Sequence, residues 1–335
     1  MKKLNKYFIF ILFICSNSFT AKASLLKQIE IGSTPVYAYG DKKLQDLSGS
    51  AYVNGYVYLA SDGGKNSNFP EIRISSLKDI QKPSAILQRQ IVQRDIEGST
   101  QIGNTIYVTS SMSQVNEDTD DYRVLSALTF DDSGKVKSEQ YIYARQIIVN
   151  AMEKNFGNDS WLRRVKVSFG KSGGINIEGL SHSHNNGDNL IFGFRSPLWD
   201  ESFGSPILDP TLSLAKGKAI LLELKDPMNK STPEATFTLI DLNGQGIRGI
   251  EYIPELKGYV IISGGVQKLN EYHLWFYDPM SKETTKLSKL GDDFSKLCRP
   301  ESVLNVPEKS TLIIFSEESG SACSQVTFNF IKYQY

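Results

Sequence analysis

Five polar positions recur at one place in a repeated phrase, and their side chains are those of anion binding and acid–base chemistry. The fullest copy is Gly174-Ile175-Asn176-Ile177-Glu178-Gly179-Leu180. Variants read Asp46-Leu47-Ser48-Gly49-Ser50, Asp95-Ile96-Glu97-Gly98-Ser99, Gly246-Ile247-Arg248-Gly249-Ile250 and Arg299-Pro300-Glu301-Ser302-Val303. Superposed, Ser48, Glu97, Glu178, Arg248 and Glu301 fall in one column, with Asp95 and Asn176 two residues earlier. A carboxylate can act as general base or hold a divalent ion such as calcium. A guanidinium offers paired donors to a carboxylate or phosphate. On chemistry alone, Glu97, Glu178 and Glu301 are the catalytic candidates, and Glu97 and Glu178 are also the candidate metal ligands. Arg248, Asp95 and Asn176 are ligand-binding candidates.

Such residues act together only if the fold gathers them. Each phrase precedes an apolar, strand-like run: Tyr56–Asp62, Thr105–Ser111, Asn189–Arg195, Gly258–Gly264 and Thr311–Glu317. A unit repeating at about fifty residues is the mark of a stacked or radial repeat fold. The first repeat holds four strand-like runs, and Asn54-Gly55 is a two-residue hairpin signal. Four antiparallel strands per repeat make a propeller blade. The expectation is therefore an all-β chain forming a single closed propeller of five blades, with Ser24–Tyr39 completing the last. Six blades is the alternative if Tyr143–Gly173 or Ser196–Gly217 hold further strands. If the phrase opens each innermost strand, the end of the returning strand shares its face. That geometry adds Arg195 to the ligand-binding set and brings Asp62, Ser110, Ser111, Gly264 and Glu317 to the same rim.

Two stretches break the period. Ile147, Ile148, Ala151, Met152 and Phe156 lie at helical spacing and predict one short amphipathic helix within Tyr143–Trp161. Ser196–Gly217 is a long excursion carrying Trp199 and Phe203. Other motifs are weaker. Gly244-Gln245-Gly246-Ile247-Arg248-Gly249 matches a dinucleotide fingerprint, but a strand stopped by Pro254 follows where a helix is needed. His182 and His184 run into Asn185-Asn186-Gly187-Asp188 and read as an exposed hairpin on the face opposite the funnel. Glu117–Asp121 is acidic without the spacing of a calcium loop and reads as solvated.

Lys2, Lys3 and Lys6, the apolar run Tyr7–Ile14 and Ala21-Lys22-Ala23 make residues 1–23 a cleavable signal peptide. The mature domain is then 24–335, secreted, and periplasmic in a Gram-negative host. Loss of the leader takes four lysines and no acid, leaving 33 basic and 37 acidic side chains. That balance argues against nucleic acid and against an anionic membrane surface. No later segment approaches transmembrane length, so stable membrane insertion is not expected. Cys298 and Cys323, the two cysteines left in an exported chain, read as a disulfide.

Asn176-Ile177-Glu178-Gly179-Leu180, Gly193-Phe194-Arg195-Ser196-Pro197 and Gly246-Ile247-Arg248-Gly249 resemble the I-E-G-L, G-x-R-x-P and G-I-R phrases of an uncharacterised secreted bacterial β-propeller family, a domain of unknown function. A more distant likeness, through the E-G-L phrase, is to the family described as having esterase-like activity of phytase. The nearer resemblance implies a propeller and marks Glu97, Glu178, Arg195 and Arg248 without implying a reaction. Two functions stand open. One is a hydrolase of a phosphoester or similar anionic ester, metal-assisted or general-base driven. The other is a non-catalytic envelope propeller that binds a ligand or a protein, since this fold hosts both.

Overall fold

A computed structural model describes residues 26–35, 38–39, 42–43, 47–61, 72–77, 80, 85–87, 89–114, 120–157, 160–167, 173–185, 187–207, 217–266, 271–287, 297–316 and 327–335. The leader, Asp62, Glu317, Cys323 and most of the acidic run at 117–121 lie outside the described residues.

Each repeat phrase becomes the first strand of an antiparallel sheet. Leu47–Val53, Tyr56–Ser61, Ile72–Ser76 and Ala85–Ile86 form the first sheet in chain order. Asn54 and Gly55 join its first two strands with φ of 51° and 84°, the left-handed pair that a two-residue hairpin of matching twist requires. Ile96–Ile102, Thr105–Ser110, Val124–Phe130 and Val136–Tyr143 form the second. The third is built on Asn176–His182, Asn189–Ser196, Gly217–Lys225 and Ala235–Ile240. Gly246–Ile253, Gly258–Gly264, His273–Asp278 and Glu283–Lys286 form the fourth. Pro300–Val306, Thr311–Ser316 and Thr327–Gln334 form the last, whose outer strand is Lys27–Pro35 from the other end of the chain. Four sheets are thus four-stranded propeller blades. The third is six-stranded, because Leu198–Asp200 and Ser205–Ile207 of the expected excursion pair onto Gly217–Lys225 rather than forming a sheet of their own. The architecture is an all-β propeller with few helices.

Adjacent sheets meet through their first strands. Leu47–Val53 packs on Ile96–Ile102, that strand on Asn176–His182, and that in turn on Gly246–Ile253. Gly246–Ile253 packs on Pro300–Val306, which packs on Leu47–Val53. The apolar core follows the same division. One cluster joins Val53, Tyr58, Val108 and Phe130 of the first two sheets, and another joins Leu59, Val306, Phe315 and Phe330 of the first and last.

The repeated glycine explains how the first strands come so close. A Cβ at Gly98 would lie 2.9 Å from the Leu180 amide nitrogen, and one at Gly249 would lie 2.5 Å from the Glu301 carbonyl oxygen. At Gly49 it would meet Ser99 Oγ at 2.8 Å, and at Gly179 Ile250 Cγ2 at 2.7 Å. In the last sheet Ser302 holds the glycine's place, and its Oγ lies 2.5 Å from Ser50 Oγ of the first. The phrase therefore encodes backbone proximity between sheets.

The single expected helix is two. Ala144–Phe156 is followed by Ser160–Val167, where Leu162 and Val165 are buried between exposed arginines. Both pack into the core rather than on an outer surface: Ile148, Met152, Leu162 and Val165 cluster with Leu180, Phe192 and Ile220. Arg145 ties them together, donating from Nη2 to the Lys166 carbonyl at 2.5 Å and from Nη1 to the Met112 carbonyl. Trp199 is buried against Phe156 at a centroid distance of 4.4 Å, whereas Phe203 is exposed. Among the described residues no helix is long and apolar enough to cross a membrane.

Candidate functional site

The column of polar residues has a structural cause beyond repetition. In every first strand the pairing register skips one residue, and that residue is Ser48, Glu97, Glu178, Arg248 or Glu301. A β-bulge leaves its extra residue unpaired in the ladder and turns its side chain away from the strand's alternation. Glycine or Ser302 comes next because the bulged strand there presses on the neighbouring sheet. In the third sheet the skip is double, and Arg195 on the returning strand is also passed over.

Four of these residues meet in one network. Arg195 Nη1 lies 2.6 Å from Glu178 Oε1, which also accepts from Asn176 Nδ2 at 2.9 Å. Arg248 Nη1 lies 2.9 Å from Glu178 Oε2 and also bonds Glu301 Oε1. The charges therefore alternate from Arg195 through Glu178 and Arg248 to Glu301. The side chains of Glu178, Arg248 and Glu301 are only 3–4% exposed. Burial pushes the Glu178 carboxyl up, but the Arg195 and Arg248 guanidiniums, helped by the Asn176 amide, outweigh it and hold it below the usual carboxylate range.

Three further residues belong to the network that are not among the candidates expected from the repeated phrase. Arg299 extends the chain of charges, its Nη2 3.8 Å from Glu301 Oε1. Ser113 Oγ donates to Asn176 Oδ1 at 2.9 Å, fixing the amide that in turn holds Glu178. The Tyr272 ring lies 5.7 Å from the Arg248 guanidinium carbon. A signal for Arg299 was present: it stands two residues before Glu301, as Asn176 does before Glu178. For Ser113 and Tyr272, which lie in connecting segments outside the phrase, there was none.

Asp95 and Glu97 are half-buried at the matching place in the second sheet, and Asp95 takes a left-handed φ of 55°, as Arg299 does at 56°. The Asp95 carbonyl accepts from the Ser111 amide at 2.9 Å, and the Ser111 carbonyl accepts from the Ile177 amide at 2.7 Å, tying the second sheet to the third. Ser48 is buried at the first bulge. Among the described residues no group of three or more His, Cys, Asp or Glu could hold a metal ion. Glu178, a candidate metal ligand, has Oε1 hydrogen-bonded by Arg195 and Asn176, while Oε2 lies 2.9 Å from Arg248 Nη1 without forming a hydrogen bond.

No family model and no curated protein matches the chain. Among solved structures, it is similar to a chain of a mitotic checkpoint complex, with a TM-score of 0.34 and 9% identity over 89% of this chain and 64% of that one. At that level the likeness bears on neither site nor partner, and the chain spans less than two thirds of the other's length.

The opposite ends of the same strands differ from expectation. The His182–His184 turn is not an exposed hairpin. His182 is largely buried, edge-on to Tyr252 at 5.3 Å, and burial lowers its pKa to about 4. His184 lies beside Tyr259, whose hydroxyl accepts from the His184 amide at 2.8 Å. Two tyrosines of the fourth sheet cover the turn, a contact that period and local polarity do not encode.

Proposed function

We propose that this chain is an exported five-bladed propeller that binds an anionic ligand without turning it over. Counting the six-stranded sheet as a blade gives the ring five. The contact of the last first-strand with the first, and the pairing of Lys27–Pro35 with Thr327–Gln334, support its closure. Export rests on the leader at 1–23, and membership of the family whose I-E-G-L, G-x-R-x-P and G-I-R phrases it resembles belongs to the same proposal.

One observation carries the binding reading. Arg195 and Arg299 are the more exposed members of the network, at 11% and 35%. Arg195 spends Nη1 on Glu178 and Nε on the Gly265 carbonyl, and Nη2 has no partner among the described residues. The carboxylates, by contrast, are committed to arginine, which suits a clamp better than a general base.

The test is calorimetry of the mature protein with phosphate, citrate and a phosphorylated sugar, beside a generic phosphoesterase assay with calcium and with chelator. Binding of one of these anions, weakened at least about tenfold in Arg195→Ala with the melting point nearly kept, supports the proposal. Binding of none of them, or undiminished binding in Arg195→Ala, overturns it. Phosphoester turnover that disappears in Glu97→Gln overturns it in favour of the hydrolase.

A further inference from the structure

Tyr143 is an aromatic side chain that the fold positions but does not cover. It ends the outer strand Val136–Tyr143 of the second sheet, and the helix Ala144–Phe156 begins at the next residue. Its ring meets that of Tyr141 edge-on at 5.7 Å, yet the two residues are 49% and 47% exposed. Beside it, the two helices and the turn Asp120–Arg123 enclose a cavity of about 340 Å³, lined by Tyr143 with Asp120, Arg123, Arg145, Gln146 and Lys166. That volume is at the small end of the roughly 300–1,000 Å³ of ligand pockets, room for a ring or two. Arg145 fixes the wall, held between the Met112 and Lys166 carbonyls.

The polar lining narrows the class of ligand. Asp120 Oδ1 accepts from Arg123 at 3.4 Å, and Lys166 bonds Glu153. A charged ligand of either sign has to displace one of these partners. A hydroxyl does not, because it gives one proton and accepts others. Two acceptors stand ready for it. Asp120 Oδ2 and Gln146 Oε1 have no partner among the described residues, the Gln146 amide nitrogen being bound to Asn150 Oδ1 at 2.7 Å.

The Tyr143 ring supplies the other half of the same chemistry. The negative face of an aromatic ring attracts the slightly positive C–H groups on one side of a pyranose, and the pairing also buries apolar area. A flat apolar ring gains the stacking but leaves Asp120 Oδ2 and Gln146 Oε1 cut off from water without a donor. We propose that this cavity binds a neutral sugar residue, stacked on Tyr143 with its hydroxyls donating to Asp120 and Gln146. The site lies beside the Glu/Arg network without sharing a residue with it. Arg145 bonds the Met112 carbonyl, and Ser113, next in the chain, bonds Asn176.

The experiment is saturation-transfer NMR of the mature protein with glucose, galactose, mannose, N-acetylglucosamine and glucuronate, one at a time, and titration of each sugar that responds. At least one neutral sugar should bind, with transfer strongest to the protons of one ring face. Tyr143→Ala should weaken that binding at least about tenfold, and Tyr143→Phe, which keeps the ring, should bind within about twofold of wild type. Tyr143 is half exposed, so both variants should melt close to wild type. Glucuronate should bind no more tightly than the neutral sugars, since Arg123 and Lys166 already face carboxylates. The proposal is overturned if no neutral sugar binds, if Tyr143→Ala binds as wild type does, or if glucuronate alone responds, which would make the cavity a second anion site. Binding lost in Arg195→Ala but kept in Tyr143→Ala also overturns it, by placing the sugar at the clamp.

Discussion

Glu178 and Arg195 are the unpaired residues of facing irregularities on two hydrogen-bonded strands, and they close on each other at 2.6 Å. The ladder gives up one regular pairing on each strand and gains an ion pair directed out of the sheet. Arg248, the bulged residue of the next sheet, reaches the other oxygen of the same carboxylate. One glutamate thus joins two sheets, and the chain of charges runs on to Glu301 in a third. The network is scaffold at its buried middle, and Arg195 Nη2 is its donor without a partner among the described residues.

That division predicts different outcomes for different members. Glu178→Gln or Arg248→Ala leaves a buried charge without its partner and should destabilise by about 3–5 kcal/mol. Arg195→Ala removes an end of the chain and should cost less. Chemical denaturation of the three variants tests the order. A Glu178→Gln protein as stable as wild type would show that the buried pair is not what joins the sheets.

The depressed Glu178 carboxyl also fixes a pH dependence. Its ordinary value is 4.5 and its folded value is lower, so its contribution is present above pH 4.5. That contribution is lost as pH falls from there through the folded pKa, because the unfolded chain takes up the proton first. The facing charges responsible are the Arg195 and Arg248 guanidiniums. The stability gap between wild type and Glu178→Gln should be widest near neutrality and narrow below pH 4.5. Urea midpoints for both proteins between pH 3 and 7 check this, and a constant gap would refute it.

Much of this was legible because propeller repeats are separate solutions to one packing problem. The glycine of each phrase is dictated by backbone approach, so it recurs at Gly49, Gly98, Gly179 and Gly249 and betrays the period. The bulged position recurs with it, which is why Glu178, Arg248 and Glu301 stand side by side in the sequence repeats as they do in the fold. What period cannot carry is contact made by segments between repeats. Ser113 and Tyr272 enter the site from such segments, and the helix Ser160–Val167 packs by a pattern too short to stand out. His182 was misread because its burial comes from Tyr252 and not from its own neighbours.

The close approach can be tested by adding one methyl group. At Gly249 a Cβ would stand 2.5 Å from a backbone oxygen that no side-chain rotation can move. Gly249→Ala should therefore cost roughly 1–3 kcal/mol, the range for overpacking. At Gly187 the nearest atom is Ile102 Cγ2 at 3.5 Å, an ordinary contact. Gly187→Ala should fall within about 0.5 kcal/mol of wild type. Equal melting points for the two variants would sink the argument.

Cys298 lies in the turn before Pro300–Val306, and its expected partner is Cys323. Mass analysis of the mature protein under non-reducing conditions should find the two thiols oxidised. Reduction should lower stability by about 3 kcal/mol, the loop-closure value for a chain of this spacing. Two alkylatable thiols in the untreated protein would refute the bridge.

The last prediction concerns the join between the chain ends. Lys27–Pro35 pairs along its length with Thr327–Gln334, and Lys332 Nζ reaches Glu30 Oε2 across the pair at 2.7 Å. Without that outer strand, Thr327–Gln334 becomes an open edge with unpaired amides and carbonyls, the kind of edge that recruits other chains. The inner neighbours Ile331 and Tyr333 are fully buried in a cluster shared with Val260 and Ile262 of the fourth sheet, so loosening this strand loosens that packing too. A mature chain begun at residue 38 should melt lower than one begun at residue 24 and should aggregate with a concentration dependence the longer chain lacks. A synthetic peptide of residues 24–37 added in trans should restore part of the loss by occupying the edge. If the shortened chain stays monomeric with an unchanged melting point, Lys27–Pro35 only decorates the last sheet and the proposed closure of the ring fails.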